Sequence, residues 1–391
     1  MRLAIITTHP IQYYAPVFKL LQHRGNIDIT VFYTWGNSAA DKYDPDFDKT
    51  IEWDIPLLDG YPYQWVTNTS PNPGSHHFKG IINPGLIDQL NKWQPDAILV
   101  FGWAYRSHLK VLRHFKGKVP VYFRGDSTLL DEKKGARAFV RTLFLKWVYK
   151  HVDHAFYVGA NNKAYFKKHG LTEGQLSFAP HAIDNERFAE PRANEAKELR
   201  ERLGIDKNDI VILFAGKLED KKAPDLLLDA FLNLSMPNVH LLFAGSGYLK
   251  NMLVQKAKEQ KNIHFTDFQN QLFMPVVYQA CNLFCLPSKG PGETWGLAVN
   301  EAMACSKAVL TSNKVGCAAD LVTADNGAIF RSGSIHQLSE GLKKLLSDKE
   351  ELIKMGRVSA RIINSYNFLA IAKAIESKVL NIKTNLPATN I

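Results

Sequence analysis

Residues 210–247 read IVILFAGKLEDKKAPDLLLDAFLNLSMPNVHLLFAGSG. An unbroken apolar run from Ile210 stops at Gly216, a helical pattern follows, and a second apolar run from Val239 stops at Gly245. A short strand that is apolar at every position is buried on both faces, and a helix between two such strands is the crossover of a parallel pair. The same unit recurs on either side. NIHFT from Asn262, NLFCLPS from Asn282 and KAVLTS from Lys307 extend the series downstream. Upstream, LAIIT near the start and IDITVFY flank a helical pattern from about Tyr13 to His23. They are followed by DAILVFG from Asp96, PVYFRGD from Pro120 and HAFYVG from His154, with helical patterns at about Arg106 to Phe115 and near Arg137 to Lys150.

Two such series imply two parallel sheets, each covered by helices on both faces. A length of 391 residues agrees, since it exceeds what one hydrophobic core usually supports. The stretch APHAIDNERFAEPRAN, with Pro180 and Pro191, reads as the connector, and the chain closes on a helical stretch near Phe368 to Leu380. The expected division is therefore an N-terminal Rossmann-like domain over 1–183, a C-terminal one over 184–365, and a final helix within 366–391 packing back on the first. One region breaks the rhythm. Between Thr34 and Gly80 lie Asp41, Asp44, Asp46, Asp48, Glu52 and Asp54 with several aromatics and prolines, which suits a functional lid or a surface excursion packed by its own rings.

Hydrophobic content of 46% and charged content of 22% are ordinary for a globular chain and exclude extensive disorder. No apolar window is long enough to span a bilayer, and the N-terminal MRLAIITTHP lacks the pattern of a signal peptide, so a cytoplasmic location is expected. Cys281, Cys285, Cys305 and Cys317 lack zinc-like spacing, and three of them sit in apolar runs, as buried thiols do. A net charge of +10 points to an anionic partner. Nucleic acid is not expected, because the cations form no tail and no aromatic RNA-binding signature is present.

The chemistry concentrates in Glu293-Thr-Trp-Gly-Leu-Ala-Val-Asn-Glu301. A helix starting near Gly296 would aim the unpaired N–H groups of Gly296, Leu297 and Ala298 at the end of the preceding strand, where a phosphate is favoured. Glu293 would stand in the loop before that helix, and at about 1.5 Å per residue Glu301 would lie roughly 8 Å along the axis from the helix start, so the two carboxylates could take hydroxyls on different parts of one long ligand. Two solvated glutamates on a helix would give the same spacing. A second element adds cations: Lys217 and Lys222 follow Gly216 directly after a strand, where ammonium groups can neutralise a diphosphate. A third, FAGSGYL, places Gly245 and Gly247 after the next strand.

Taken in order, AGKLEDKK, FAGSG, NLFCLPS, and Glu293 to Met303 followed by KAVLTS and VGCAADLV resemble family 4 of the retaining glycosyltransferases. The E-x7-E pattern followed by EAMA is the most specific of these. The resemblance covers most of 205–380, and PHAIDNERF resembles the family's interdomain turn. It implies the GT-B architecture, two doubly wound Rossmann-like domains facing a cleft. It also implies a UDP- or GDP-linked sugar as co-substrate, with neither a cofactor nor a metal. Lys217 and Lys222 would hold the diphosphate, Glu293 the transferred sugar's hydroxyls and Glu301 the ribose, with backbone contacts from Gly296 and Leu297. The departures are lysine at 217 where the family usually has arginine, alanine at 223 where it usually has glycine, and His181-Ala182 in place of Asn-Gly in the connector turn.

The first half would hold the acceptor, a glycan or lipid-linked glycan of cell-surface polysaccharide synthesis. His9, Arg124 and Asp126 stand at strand ends there and are acceptor-side candidates, each equally suited to a structural role. A nucleotide-sugar epimerase or a phosphorylase of the same architecture, and a non-catalytic binder of anions, remain as alternatives. KKGARAFVRTLFLKWVYK, from Lys133 to Lys150, interleaves cations with aromatic residues and contains no acid. It reads either as a helix lying on an anionic membrane surface or as one that packs Phe139, Leu143 and Trp147 on its own sheet.

Overall fold

The computed structural model describes residues 1–36, 43–44 and 49–50 (backbone only), and 53–382. The chain divides into two compact units, one of Met1–Lys42, Pro56–Pro180 and Phe368–Ile391, the other of Tyr43–Ile55 and His181–Asn367. Asp41, Asp46, Asp48 and Glu52, invoked for a lid, lie outside the described residues, as do 383–391 of the expected C-terminal helix; of Asp44 only the backbone is described.

In chain order the strands are β1 (Arg2–Thr7), β2 (Asp28–Tyr33), β3 (Tyr43–Asp44), β4 (Lys49–Thr50), β5 (Tyr63–Trp65), β6 (Ala97–Phe101), β7 (Val121–Arg124), β8 (His154–Tyr157) and β9 (Leu176–Phe178). The series continues with β10 (Ile210–Ala215), β11 (Val239–Ala244), β12 (Ile263–Thr266), β13 (Leu283–Leu286), β14 (Ala308–Ser312) and β15 (Gly327–Phe330). The first unit's sheet runs β5-β2-β1-β6-β7-β8-β9, and the second unit's runs β12-β11-β10-β13-β14-β15. All pairings in both sheets are parallel; among the described residues only the short β3–β4 ladder is antiparallel.

Both sheets have the doubly wound order in which the first strand lies centrally and the chain winds outward, first to one side and then to the other. Their central strands are buried at every position, as the apolar runs require. The expected α/β class with two Rossmann-like parallel sheets is therefore observed. Strands β5, β9 and β15 have no counterpart in the sequence pattern. They are outer strands of three or four residues, too short for a periodicity to show. Within the first unit, the Phe368–Leu380 helix packs through Ile371, Ala372, Ile375 and Val379, and the Arg24 guanidinium grips its Glu376 carboxylate with three hydrogen bonds of 2.9–3.0 Å.

Candidate functional site

In an open parallel sheet a ligand binds beyond the carboxyl ends of the strands, beside the point where the winding reverses. In the second unit that point lies between β10 and β13, which pair directly. Gly216 and Lys217 follow β10, Gly245 and Gly247 follow β11, and the loop carrying Glu293 follows β13.

The Glu293 carboxylate is the centre of the cluster. Its Oε2 accepts from the Lys222 ammonium at 2.7 Å and from the Ser288 hydroxyl at 2.9 Å. Glu293 is 8% exposed and the Lys222 side chain 17%. A carboxylate so far from water must be paired, and the lysine and the hydroxyl provide that pairing. The Lys222 stem crosses Gly216, whose missing Cβ would lie 3.5 Å from Lys222 Cδ. An ammonium has three N–H donors, so the bond to Glu293 leaves capacity for a ligand. Lys217 is half-buried in the adjoining loop.

Backbone contacts fix the loop. Gly316 N–H donates to the Glu293 carbonyl and Cys317 N–H to that of Trp295. The helix expected near Gly296 runs Leu297–Ala304, and Gly296 caps it at φ 94°. A Cβ on Gly296 would come within 2.8 Å of Val315 Cγ1, so both conformation and space demand glycine. The first N–H groups of this helix lack intrahelical acceptors by construction, which makes the end attractive to an anion. Gly245, which the sequence suggests as a point of ligand approach, has a packing role in the structure. A Cβ there would lie 2.1 Å from the Gly216 carbonyl oxygen, so its absence lets two strand-end loops touch.

Glu301 lies one turn into the helix and is buried; its Oε2 accepts from the Tyr278 hydroxyl at 2.8 Å. Between the two glutamates, buried Asn300 accepts from Trp295 Nε1 at 2.9 Å and donates to the His181 carbonyl at 3.1 Å. The helix thereby holds its own preceding loop and the connector residue His181. Sequence reading missed Ser288, Tyr278 and Asn300. Ser288 ends NLFCLPS and could have been flagged as a hydroxyl at a strand end, whereas nothing in the spacing joins Tyr278 to Glu301.

The candidates in the first unit divide. Arg124 is 2% exposed and forks onto the carbonyls of Ala179 at 2.7 Å and Pro180 at 2.8 Å. Those bonds hold the end of the first unit's chain against β7, and burial lowers the guanidinium's proton affinity. His9 shares a hydrogen bond between its Nδ1 and Thr8 Oγ1 at 2.9 Å and meets the Trp35 ring edge-on. Asp126 is close enough to Tyr14 and Tyr105 to favour the protonated form of both phenols; burial, the larger cause, pushes Tyr14 to about 12. Neither tyrosine stands out in the sequence.

All four cysteines are buried thiols, and burial raises their pKa values, that of Cys281 to about 12. Among the described residues no group of three or more His, Cys, Asp or Glu is placed to hold a metal ion, and no helix is long and apolar enough to cross a membrane.

Residues 195–361 match the family model for glycosyl transferases group 1. The D-inositol 3-phosphate glycosyltransferase of Gordonia bronchialis is 30% identical over 177 residues, which covers 42% of this chain and 38% of that protein. Spore coat protein SA of Bacillus subtilis is 29% identical over 182 residues, covering 44% of this chain and 47% of that protein. The match thus spans about half the length, or less, of these curated relatives. Among solved structures, Anabaena HepE in complex with UDP and glucose superposes with a TM-score of 0.71 at 17% identity, over 97% of this chain and 100% of that one. Sucrose-phosphate synthase from Thermosynechococcus elongatus gives 0.74 at 16% identity, over 98% and 99%. At these identities the structural likeness speaks for the fold, while the sequence match speaks for the second unit. Residues 195–361 are thus similar to glycosyl transferases group 1, within a chain that has the fold of the GT-B glycosyltransferases.

Proposed function

We propose that the chain is a retaining, metal-independent member of glycosyltransferase family 4 that moves a sugar from a UDP- or GDP-linked donor to a hydroxyl. The acceptor is a glycan or lipid-linked glycan of cell-surface polysaccharide synthesis, reached from the cytoplasmic face of the membrane, where the protein is peripheral. Residues 184–365 form the donor domain in this reading; residues 1–183, with the last helix, form the acceptor domain. The observation that carries it is the Glu293 carboxylate, held by Lys222 and Ser288 beside the amino end of the Leu297–Ala304 helix.

The diphosphate lies at that helix end with Lys217 and Lys222, Glu293 takes hydroxyls of the transferred sugar, and Glu301 takes the ribose. The acceptor oxygen attacks the anomeric carbon from the leaving-group face, and its proton passes to a diphosphate oxygen as the bond from the anomeric carbon to that phosphate breaks. The two lysines and the helix end stabilise the charge that develops on the diphosphate, as a divalent cation does in other nucleotide-sugar enzymes. The solved HepE complexes contain UDP and UDP-glucose, which makes uridine donors the first to test.

Turnover in excess EDTA with a panel of UDP- and GDP-sugars and glycan acceptors is the test. We expect release of nucleoside diphosphate and a product with the donor's anomeric configuration. Glu293→Gln should lower kcat/KM by about 10- to 100-fold, the value of hydrogen bonds to a charged group. Loss of activity in EDTA that manganese restores would overturn metal independence. An altered sugar without any acceptor would make the protein an epimerase, and nucleotide binding without turnover of any donor would make it a non-catalytic binder.

A further inference from the structure

The Ala136–Tyr149 helix turns Leu145, Val148 and Tyr149 into the first unit. Its other large apolar side chains stand in solvent: Phe139 is 65% exposed, Val140 63%, Leu143 51%, Phe144 41% and Trp147 39%. The reading in which Phe139, Leu143 and Trp147 pack on the sheet is therefore set aside. Of the seventeen exposed large hydrophobic side chains among the described residues, five lie on this one helix. Scattered apolar residues on a surface need no explanation, whereas a contiguous group does.

Their arrangement is specific. At about 100° per residue, the five span an arc of roughly 140°. Arg137 borders one margin of that arc and Lys146 the other, Lys150 follows at the helix end, Arg141 lies further round the helix, and all four are exposed. Between Lys133 and Lys150 there is no acidic residue. The face has internal order as well: Phe144 lies against Trp103 and Trp147, and the Arg113 guanidinium sits 5.3 Å from the centre of the Trp147 ring.

We propose that this face is a membrane-docking surface for an anionic phospholipid leaflet, with the five apolar side chains inserted below the headgroups and Arg137, Lys146 and Lys150 at headgroup level. Charge complementarity selects this occupant. A second copy of the chain would bring two cation-bordered faces together with no carboxylate to pair them, and a polyanion would be met first by apolar rings. A convex ridge bordered by cations on both sides suits a planar, negatively charged surface with an apolar interior. The inference deepens the peripheral placement of the proposed transferase, on which its biological sense rests.

The test is co-sedimentation of the full chain with vesicles of phosphatidylcholine alone or mixed with phosphatidylglycerol. We expect pelleting with the anionic vesicles only, reversed by high salt. The double variants Phe139→Ser/Leu143→Ser and Arg137→Glu/Lys150→Glu should each weaken partitioning by about tenfold or more. All four positions are exposed, and an unchanged circular dichroism spectrum will verify the fold. As a check that needs no folded multiple variant, brominated acyl chains should quench tryptophan emission of the wild-type chain, and Trp147→Phe should lose most of that quenching. Equal pelleting on neutral and anionic vesicles, none on either, or a dimer in light scattering that Phe139→Ser abolishes would overturn the proposal. Nucleotide binding measured on the same samples separates such a failure from failure of the transferase reading.

Discussion

Ala223 adopts φ 51°, ψ 49°, a left-handed conformation, directly between the Lys222 turn and Pro224 at the start of the next helix. The glycosyltransferase pattern has glycine here, and the backbone shows why. The strain of a side chain in this region is about 1–2 kcal/mol. Glycine would relieve it, but would lose a buried methyl group worth about 0.8 kcal/mol and add about 0.4–1 kcal/mol of unfolded-state entropy. These terms nearly cancel, so alanine is tolerated. We expect Ala223→Gly to change stability by less than about 1 kcal/mol, and Ala223→Val, β-branched and buried, to cost more than about 2 kcal/mol. Urea denaturation measures both, and a Val variant as stable as wild type would contradict this view of the turn. At the same scale, Glu293, Lys222 and Gly296 were legible because each has a chemical reason to follow a strand. Arg124 shows where that logic stops: the sequence places a cation at a strand end, but only the fold reveals that Ala179 and Pro180 claim it.

Elements were legible in proportion to their length and burial. The helices at Arg106–Phe115 and Phe368–Leu380 occupy the stretches their periodicity assigns, and each central strand is an uninterrupted apolar run. The outer strands Tyr63–Trp65, Leu176–Phe178 and Gly327–Phe330 escaped notice because their residues are mixed and their pairing depends on neighbours distant in sequence. The Ala136–Tyr149 helix is the instructive case. Its sequence allowed two orientations, because three apolar residues at helical spacing fit a sheet or a bilayer equally well. Burial of Leu145, Val148 and Tyr149 claims the inward face and leaves Phe139, Leu143 and Trp147 in solvent, which excludes the packing on the sheet. The start of the Leu297–Ala304 helix, in contrast, was fixed locally, since Gly296 cannot be replaced without steric conflict.

At the scale of the whole molecule, buried and half-buried histidines tie stability to pH. Burial lowers His108, His154, His169 and His264 from 6.5 to about 4. Their unfolded forms bind protons below pH 6.5 and their folded forms do not, so this contribution is fully present above 6.5 and is lost as pH falls toward 4. For fully buried His108 the loss across that window is on the order of 3 kcal/mol. We expect unfolding midpoints in urea to drop between pH 7 and pH 5. His169→Leu, which removes a ring whose nitrogens have no hydrogen-bond partner, should flatten the drop; a slope unaffected by it would contradict this origin.

Both sheets repeat one winding order, yet chemical detail was legible only in the second, where glycines, lysines and a carboxylate follow three neighbouring strand ends. That asymmetry makes nucleotide binding the decisive property. Calorimetric titration of the full chain with UDP and GDP in excess EDTA should show one nucleotide bound per chain. Glu301→Ala should weaken it by about 1.5–3 kcal/mol, the worth of hydrogen bonds to a charged group. No binding of either nucleotide to the folded chain, or an affinity unchanged in folded Glu301→Ala, would contradict a donor site built on Lys222, Glu293 and the helix that follows.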